Sequence, residues 1–120
     1  DIFAEIEYEG TAEEFLRQGM APVRKVTIGP ITLEVLETPG HTPGSVTLKG
    51  DHVLFTGDTL FRGSIGRTDL EGGSYAQIMA SLKKLSQLPG DYQVCPGHEG
   101  LSTLDEERRS NYYLLQAMAE

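Results

Sequence analysis

Val35-Leu36-Glu37-Thr38-Pro39-Gly40-His41, Val53-Leu54-Phe55-Thr56-Gly57-Asp58 and Tyr92-Gln93-Val94-Cys95-Pro96-Gly97-His98 share one pattern: a short apolar run, a glycine, then a side chain able to bind a metal. A β-rich run feeding a glycine turn leaves the next residue at the C-terminal end of the strand, where ligand sites of α/β architectures gather. If the three strands lie in one sheet, His41, Asp58 and His98 converge. Two imidazoles and one carboxylate suit zinc, iron or manganese better than calcium or magnesium. Any one of these residues alone would read as an ordinary solvated turn position. Three with the same local pattern argue for a shared site.

Outward from these runs, Val23 to Thr38 alternates apolar and polar residues and reads as two strands broken at Gly29-Pro30. Ser45–Leu48 and His52–Thr56 make a second pair turned at Gly50-Asp51. Phe61 to Gly73 is too rich in glycine for a regular element and reads as a long functional loop. Ser74 can cap a helix whose Ile78, Met79, Leu82 and Leu85 fall on one face, and Pro89-Gly90 stops it. Tyr92–Cys95 is then a strand. A closing helix runs from Asp105 to about Ala119, capped by Thr103 or Asp105. Residues 1–22 form a separate, partial N-terminal segment with a short helix, for which Thr11 and Glu14 make a capping box and Gly19 a stop. Residues 23–120 make the main unit.

The chain has 120 residues, the size of one ordinary domain. Its hydrophobic share of 38% and charged share of 23% are those of a soluble globular protein, and no run approaches a membrane span. Eighteen acidic residues against ten basic give a formal charge of −8, which opposes binding to nucleic acid or anionic lipid. Cys95 is the single cysteine, so no internal disulfide forms, and within an apolar strand it reads as a small buried hydrophobe rather than a reactive thiol. A lack of cysteine pairs fits a cytoplasmic setting; the chain carries no signal-peptide pattern, and a targeting segment upstream would not be visible.

Four segments together resemble the metallo-β-lactamase-fold hydrolases, and within them the glyoxalase II-like (hydroxyacylglutathione hydrolase) branch: Thr38-Pro39-Gly40-His41-Thr42-Pro43-Gly44-Ser45, Phe55-Thr56-Gly57-Asp58-Thr59-Leu60-Phe61, Gly63-Ser64-Ile65-Gly66-Arg67-Thr68-Asp69 and Pro96-Gly97-His98-Glu99. They occur in the family's order, from about Val26 to Asn111. The resemblance implies the C-terminal half of an αββα sandwich, a mixed sheet with flanking helices. It implies that His41 ligates one metal, His98 the other, and Asp58 bridges both as the catalytic centre, with zinc at two sites and iron or manganese as alternatives. A metal-bridging hydroxide would then attack the carbonyl of a thioester or ester substrate. Arg67 and Asp69 match a segment that braces the site loop, Arg67 alternatively holding an anionic substrate.

One departure matters as much as the match. The family's upstream His-x-His-x-Asp-His motif is absent, and the only histidines are His41, His52 and His98. The isolated chain is therefore expected to bind metal weakly, to be nearly inactive, and to associate with the missing N-terminal half or with itself, since half a sandwich leaves an apolar sheet face in water. His52 reads as solvated. Thr59, Ser64 and Glu99 could orient ligands or serve only as loop hydrogen-bonding groups. The Tyr112-Tyr113 pair stands where relatives often have proline, which leaves the path of the last helix open. Two further readings stand beside the hydrolase: an iron-dependent persulfide dioxygenase, which the Gly66-Arg67-Thr68-Asp69 segment and Glu106-Glu107-Arg108 also echo, and a non-catalytic half-domain.

Overall fold

A computed structural model describes residues 5–9, 23–98 and 100–120. Its elements run β1 (Glu5–Glu9), β2 (Val23–Ile28), β3 (Ile31–Glu37), β4 (Val46–Lys49), β5 (Val53–Gly57), β6 (Leu60–Phe61), β7 (Ser64–Ile65), α1 (Tyr75–Ser86), β8 (Gln93–Pro96), β9 (Ser102–Thr103), α2 (Leu104–Ser110) and α3 (Tyr112–Ala119). One mixed sheet has the order β1-β2-β3-β4-β5-β8-β9, and β6 pairs with β7 as a separate hairpin. The neighbours β1 to β5 are antiparallel in sequence, β8 joins β5 in parallel, and β9 returns antiparallel to β8. Because β3 and β5 flank antiparallel β4, and β8 runs with β5, the C-terminal ends of β3, β5 and β8 share one edge. The mixed α/β architecture expected from the sequence is therefore present.

Strand periodicity separates the two faces. Leu54, Thr56, Thr47 and Val94 point to the helical side and are buried, with Leu36 packed against that core. There they meet Ile78, Met79, Leu82 and Leu85 of α1, Leu104 of α2 and Leu114 and Ala117 of α3. The predicted apolar stripe of α1 is the stripe that is buried, and Ser74 Oγ caps it by accepting from the Gln77 amide. On the opposite face Phe55 is 43% exposed and Val46 37%, with Val35, Leu48 and Cys95 half-buried beside them. Cys95 is thus a half-buried residue of the open face, not a core residue, because its register partner is Phe55 rather than Leu54.

Two expectations are corrected by the backbone. The closing helix is two helices: Asn111 takes an extended conformation (φ −81°, ψ 113°), and its Oδ1 accepts from the amides of Tyr113 and Leu114 to start a new helix. Of the two candidate caps, Thr103 is the one used for α2. The glycine-rich loop opens with the β6–β7 hairpin, Leu60 opposite Ile65 and Phe61 opposite Ser64. The N-terminal helix, its Thr11–Glu14 box and Gly19, lies outside the described residues, whereas Glu5–Glu9 adds a strand to the sheet.

The two faces predict different costs of truncation. Leu82→Ala, in the helical core, is expected to lower stability by about 2–5 kcal/mol in urea unfolding of this chain. Phe55→Ala on the open face should cost about 1 kcal/mol or less in the chain diluted to a monomer; a loss equal to that of Leu82→Ala would mean that the open face is covered.

Candidate metal centre

Each candidate ligand owes its place to a local constraint just beyond a strand end. After β3 the chain turns at Thr38–Ser45, closed by the Thr38 amide on Ser45 O at 3.0 Å. Gly40 has φ +143°, and a Cβ there would lie 2.4 Å from Ile78 Cα, so only glycine lets this turn lie against α1. The Ser74 amide donates to Gly40 O at 2.7 Å, and Ser81 Oγ donates to Pro39 O at 2.7 Å, tying the His41 turn to that helix. Asp58 follows β5, whose register against β8 shifts between Phe55 and Gly57. Past that irregularity the Gly97 amide donates to Gly57 O at 2.8 Å, which sets His98 beside Asp58.

The three side chains meet. His41 Nε2 is 3.5 Å from Asp58 Oδ2, and His98 Nε2 is 3.3 Å from Asp58 Oδ1. His41 is 21% exposed, Asp58 38% and His98 71%, so the site opens toward His98. His41 Nδ1 lies 2.8 Å from the main-chain carbonyl of Arg67 and must donate to it. Its Nε2 then presents a lone pair to a carboxylate oxygen, an arrangement that is repulsive unless a proton or metal cation lies between them. Among the described residues no three His, Cys, Asp or Glu side chains form one metal-holding group. Asp58 could offer one carboxylate oxygen beside each imidazole, which would give each position two donors from this chain, below the three protein ligands of a tight catalytic zinc.

Beneath the site lies a layer of buried hydroxyls. Thr59 Oγ1 is 3.2 Å from both the carbonyl and Oγ1 of Thr38, Thr38 Oγ1 meets Thr47 Oγ1 at 3.1 Å, and Thr56 Oγ1 donates to Leu60 O at 2.7 Å. Thr59 therefore holds the β3 and β5 ends together rather than touching a ligand. A cavity of about 350 Å³ opens over the site, walled by His41, Asp58 and His98 and by Phe61, Ser64 and Ile65 of the hairpin. The Phe61 ring stands edge-on to His98, centroids 5.9 Å apart. Phe61 closes one of the segments quoted above without having been singled out as a site group, and the Arg67 carbonyl, a backbone oxygen, carries no motif of its own.

Arg67 and Asp69 form an exposed fork, Nε to Oδ1 at 2.8 Å and the second nitrogen to Oδ2 at 3.0 Å. Hydrogen bonding to Arg67 holds the Asp69 carboxyl below its usual range, and Asp69 raises the guanidinium above its own. A carboxyl lowered in the folded state contributes above its unfolded value and loses that contribution as pH falls through the lowered one. The fork is thus intact at neutral pH and opens only in acid. His52 is exposed in the turn between β4 and β5, away from the site, and Glu99 lies outside the described residues.

A family model described as "Metallo-beta-lactamase superfamily" matches residues 15–98. The chain is 43% identical over 84 residues to hydroxyacylglutathione hydrolase GloC of Haemophilus influenzae, covering 68% of this chain and 40% of that protein. The crystal structure of the BLEG-1 B3 metallo-beta-lactamase is 45% identical with a TM-score of 0.71, covering 75% of this chain and 44% of that one. That of TTHA1623 in a di-iron-bound form is 44% identical with a TM-score of 0.65, covering 68% and 42%. The chain spans less than half the length of each of these relatives.

Gly66 offers a test of the close packing around the site. A Cβ there would fall 1.8 Å from Asp58 O and 3.3 Å from His41 Nδ1. Gly66→Ala is expected to cost at least about 1–3 kcal/mol in urea unfolding. Gly44→Ala, where a Cβ meets nothing within 4 Å, should be close to neutral.

Proposed function

The chain belongs to the metallo-beta-lactamase superfamily, and on that premise we propose that it supplies part of a metal-dependent hydrolase centre acting on a thioester of the hydroxyacylglutathione type. The observation that carries this reading is the carboxylate of Asp58, which turns one oxygen to each of two imidazoles at 3.5 and 3.3 Å. His41 and Asp58 would hold one metal, Asp58 and His98 the second. Bound there, a divalent pair would lower the pKa of water toward neutrality and polarise the carbonyl under attack. Zinc suits such nitrogen and oxygen donors, and iron or manganese suit them too; the di-iron form of TTHA1623 is consistent with a two-metal reading.

The chain's own groups supply placement. Arg67 O orients His41, Phe61 walls His98, and the 350 Å³ cavity between the hairpin and the histidines can take an acyl group. A thioester, rather than a lactam, is favoured by the likeness to GloC. Two ligands per metal from this chain are too few for tight binding, so on this reading further ligands would come from the family's N-terminal half or from a second copy of the chain. The open sheet face of Phe55, Val46 and Leu48 is where either would pack, since each large aliphatic side chain it covers is worth about 1.5–3 kcal/mol.

Two experiments decide the matter. In the full-length protein, metal analysis should find two metal ions, and a hydroxyacyl glutathione thioester should be cleaved; Asp58→Asn should lose at least about 100-fold in rate, a ligand mattering more than its outer partners. One iron with oxygen uptake on a glutathione persulfide would instead identify a dioxygenase and overturn the hydrolase reading. The isolated 120-residue chain should bind zinc only weakly by titration calorimetry and appear by native mass spectrometry mainly as an assembly. Submicromolar zinc affinity in a folded monomer would contradict both.

A further inference from the structure

Behind the β6–β7 hairpin, on the side away from the cavity, sits a buried polar pair. Glu107 is 2% exposed and Asn111 fully buried. Glu107 Oε1 accepts from the Gly63 amide at the hairpin turn (2.8 Å) and from Asn111 Nδ2 (2.9 Å). Asn111 Nδ2 also donates to Phe61 O at 3.3 Å and Ser64 O at 3.1 Å, one on each strand. The pair therefore holds both strands and the turn. We propose that Glu107 and Asn111 are positioning residues that set the orientation of both site imidazoles, by fixing from behind the hairpin that touches His98 through Phe61 and leads into the Arg67 carbonyl on His41.

The hairpin has two residues per strand and two register pairs, too few to hold its own shape in water. Yet it sets both histidines: Phe61 lies edge-on to His98, and the residues just beyond it bring the Arg67 carbonyl to His41 Nδ1. A buried carboxylate adds little net stability over an apolar replacement of similar volume, and the best-attested gain from such a group is a single arrangement of its surroundings. Glu107 lies in α2 and Asn111 begins α3, whose Leu114 and Ala117 belong to the core. The hairpin is thereby referred to the core through hydrogen bonds, without touching the cavity itself.

The test uses the full-length protein and reads the site first without metal. The 15N shifts of the imidazole nitrogens report which nitrogen carries hydrogen. In Glu107→Ala and Asn111→Asp these shifts should change for both His41 and His98, and zinc affinity should fall about tenfold or more, in the range seen when outer partners of metal ligands are removed. Asn111→Asp keeps the acceptor that starts α3 but turns an acceptor toward two carbonyls and a carboxylate, separating capping from positioning. Glu107→Gln, which retains Oε1 for the same two hydrogens, should restore both readings. Leu85→Ala, in the helical core, serves as the control for simple destabilisation. Unchanged imidazole signals in Glu107→Ala, or equal changes in Leu85→Ala, would overturn the proposal; should Asn111→Asp not fold, Glu107→Ala against Glu107→Gln decides. The metal arm rests on the proposed function, and the metal-free arm does not: shifts as expected with no zinc bound by any variant would overturn the metal reading alone.

Discussion

Parallel pairing of β5 with β8 is the constraint on which the site depends. These strands are far apart in sequence, and the segment between them contains the hairpin, the glycine-rich loop and α1. An antiparallel pairing would send Asp58 and His98 to opposite edges of the sheet. With the strands parallel, their ends coincide, and the register shift after Phe55 brings the Gly97 amide onto Gly57 O. Parallel ladders occur where helices cover a face, and α1 with α3 covers the face opposite Phe55. The core and the site thus have a common cause: the apolar stripe that buries α1 also closes the crossover that aligns two of the three candidate ligands.

The third member of the set comes from β3 through a different device. Its turn is seated on α1 by close backbone approach at Gly40 and by hydrogen bonds from Ser74 and Ser81, while the threonines under the site tie the β3 and β5 ends together. Hydroxyls with mutual partners are affordable in the interior where lone polar groups are not. Ser102 Oγ is the one buried side-chain polar atom without a partner among the described residues. It lies in β9, away from the cavity.

Much of this was legible in the sequence because it follows short-range rules. Val53–Gly57 and Tyr92–Cys95 announce strands by composition, Ile78, Met79, Leu82 and Leu85 announce a helix by spacing, and the Gly-His and Gly-Asp ends mark the strand edge. What escaped is settled by contacts between remote positions. Asn111 looks like any polar residue within a helical pattern, and only its reach to Phe61 and Ser64, some fifty residues upstream, explains why the helix breaks there. The hairpin escaped for the same reason: Phe61, Gly63 and Ser64 are held from outside by Glu107 and Asn111, more than forty residues downstream. Cys95 was misplaced by one face, since an apolar run without alternation does not say which of its residues look inward.

The hydrogen bond from His41 reaches the backbone of residue 67 rather than its side chain. A main-chain carbonyl is present whatever amino acid the codon specifies. Position 67 can thus change its charge, its size or its partnership with Asp69 while the imidazole keeps its tautomer. In evolutionary terms the orientation of the candidate ligand and the chemistry displayed at the mouth of the cavity are uncoupled. Substitution at position 67 can therefore alter the wall of the cavity while the imidazole behind it keeps its orientation.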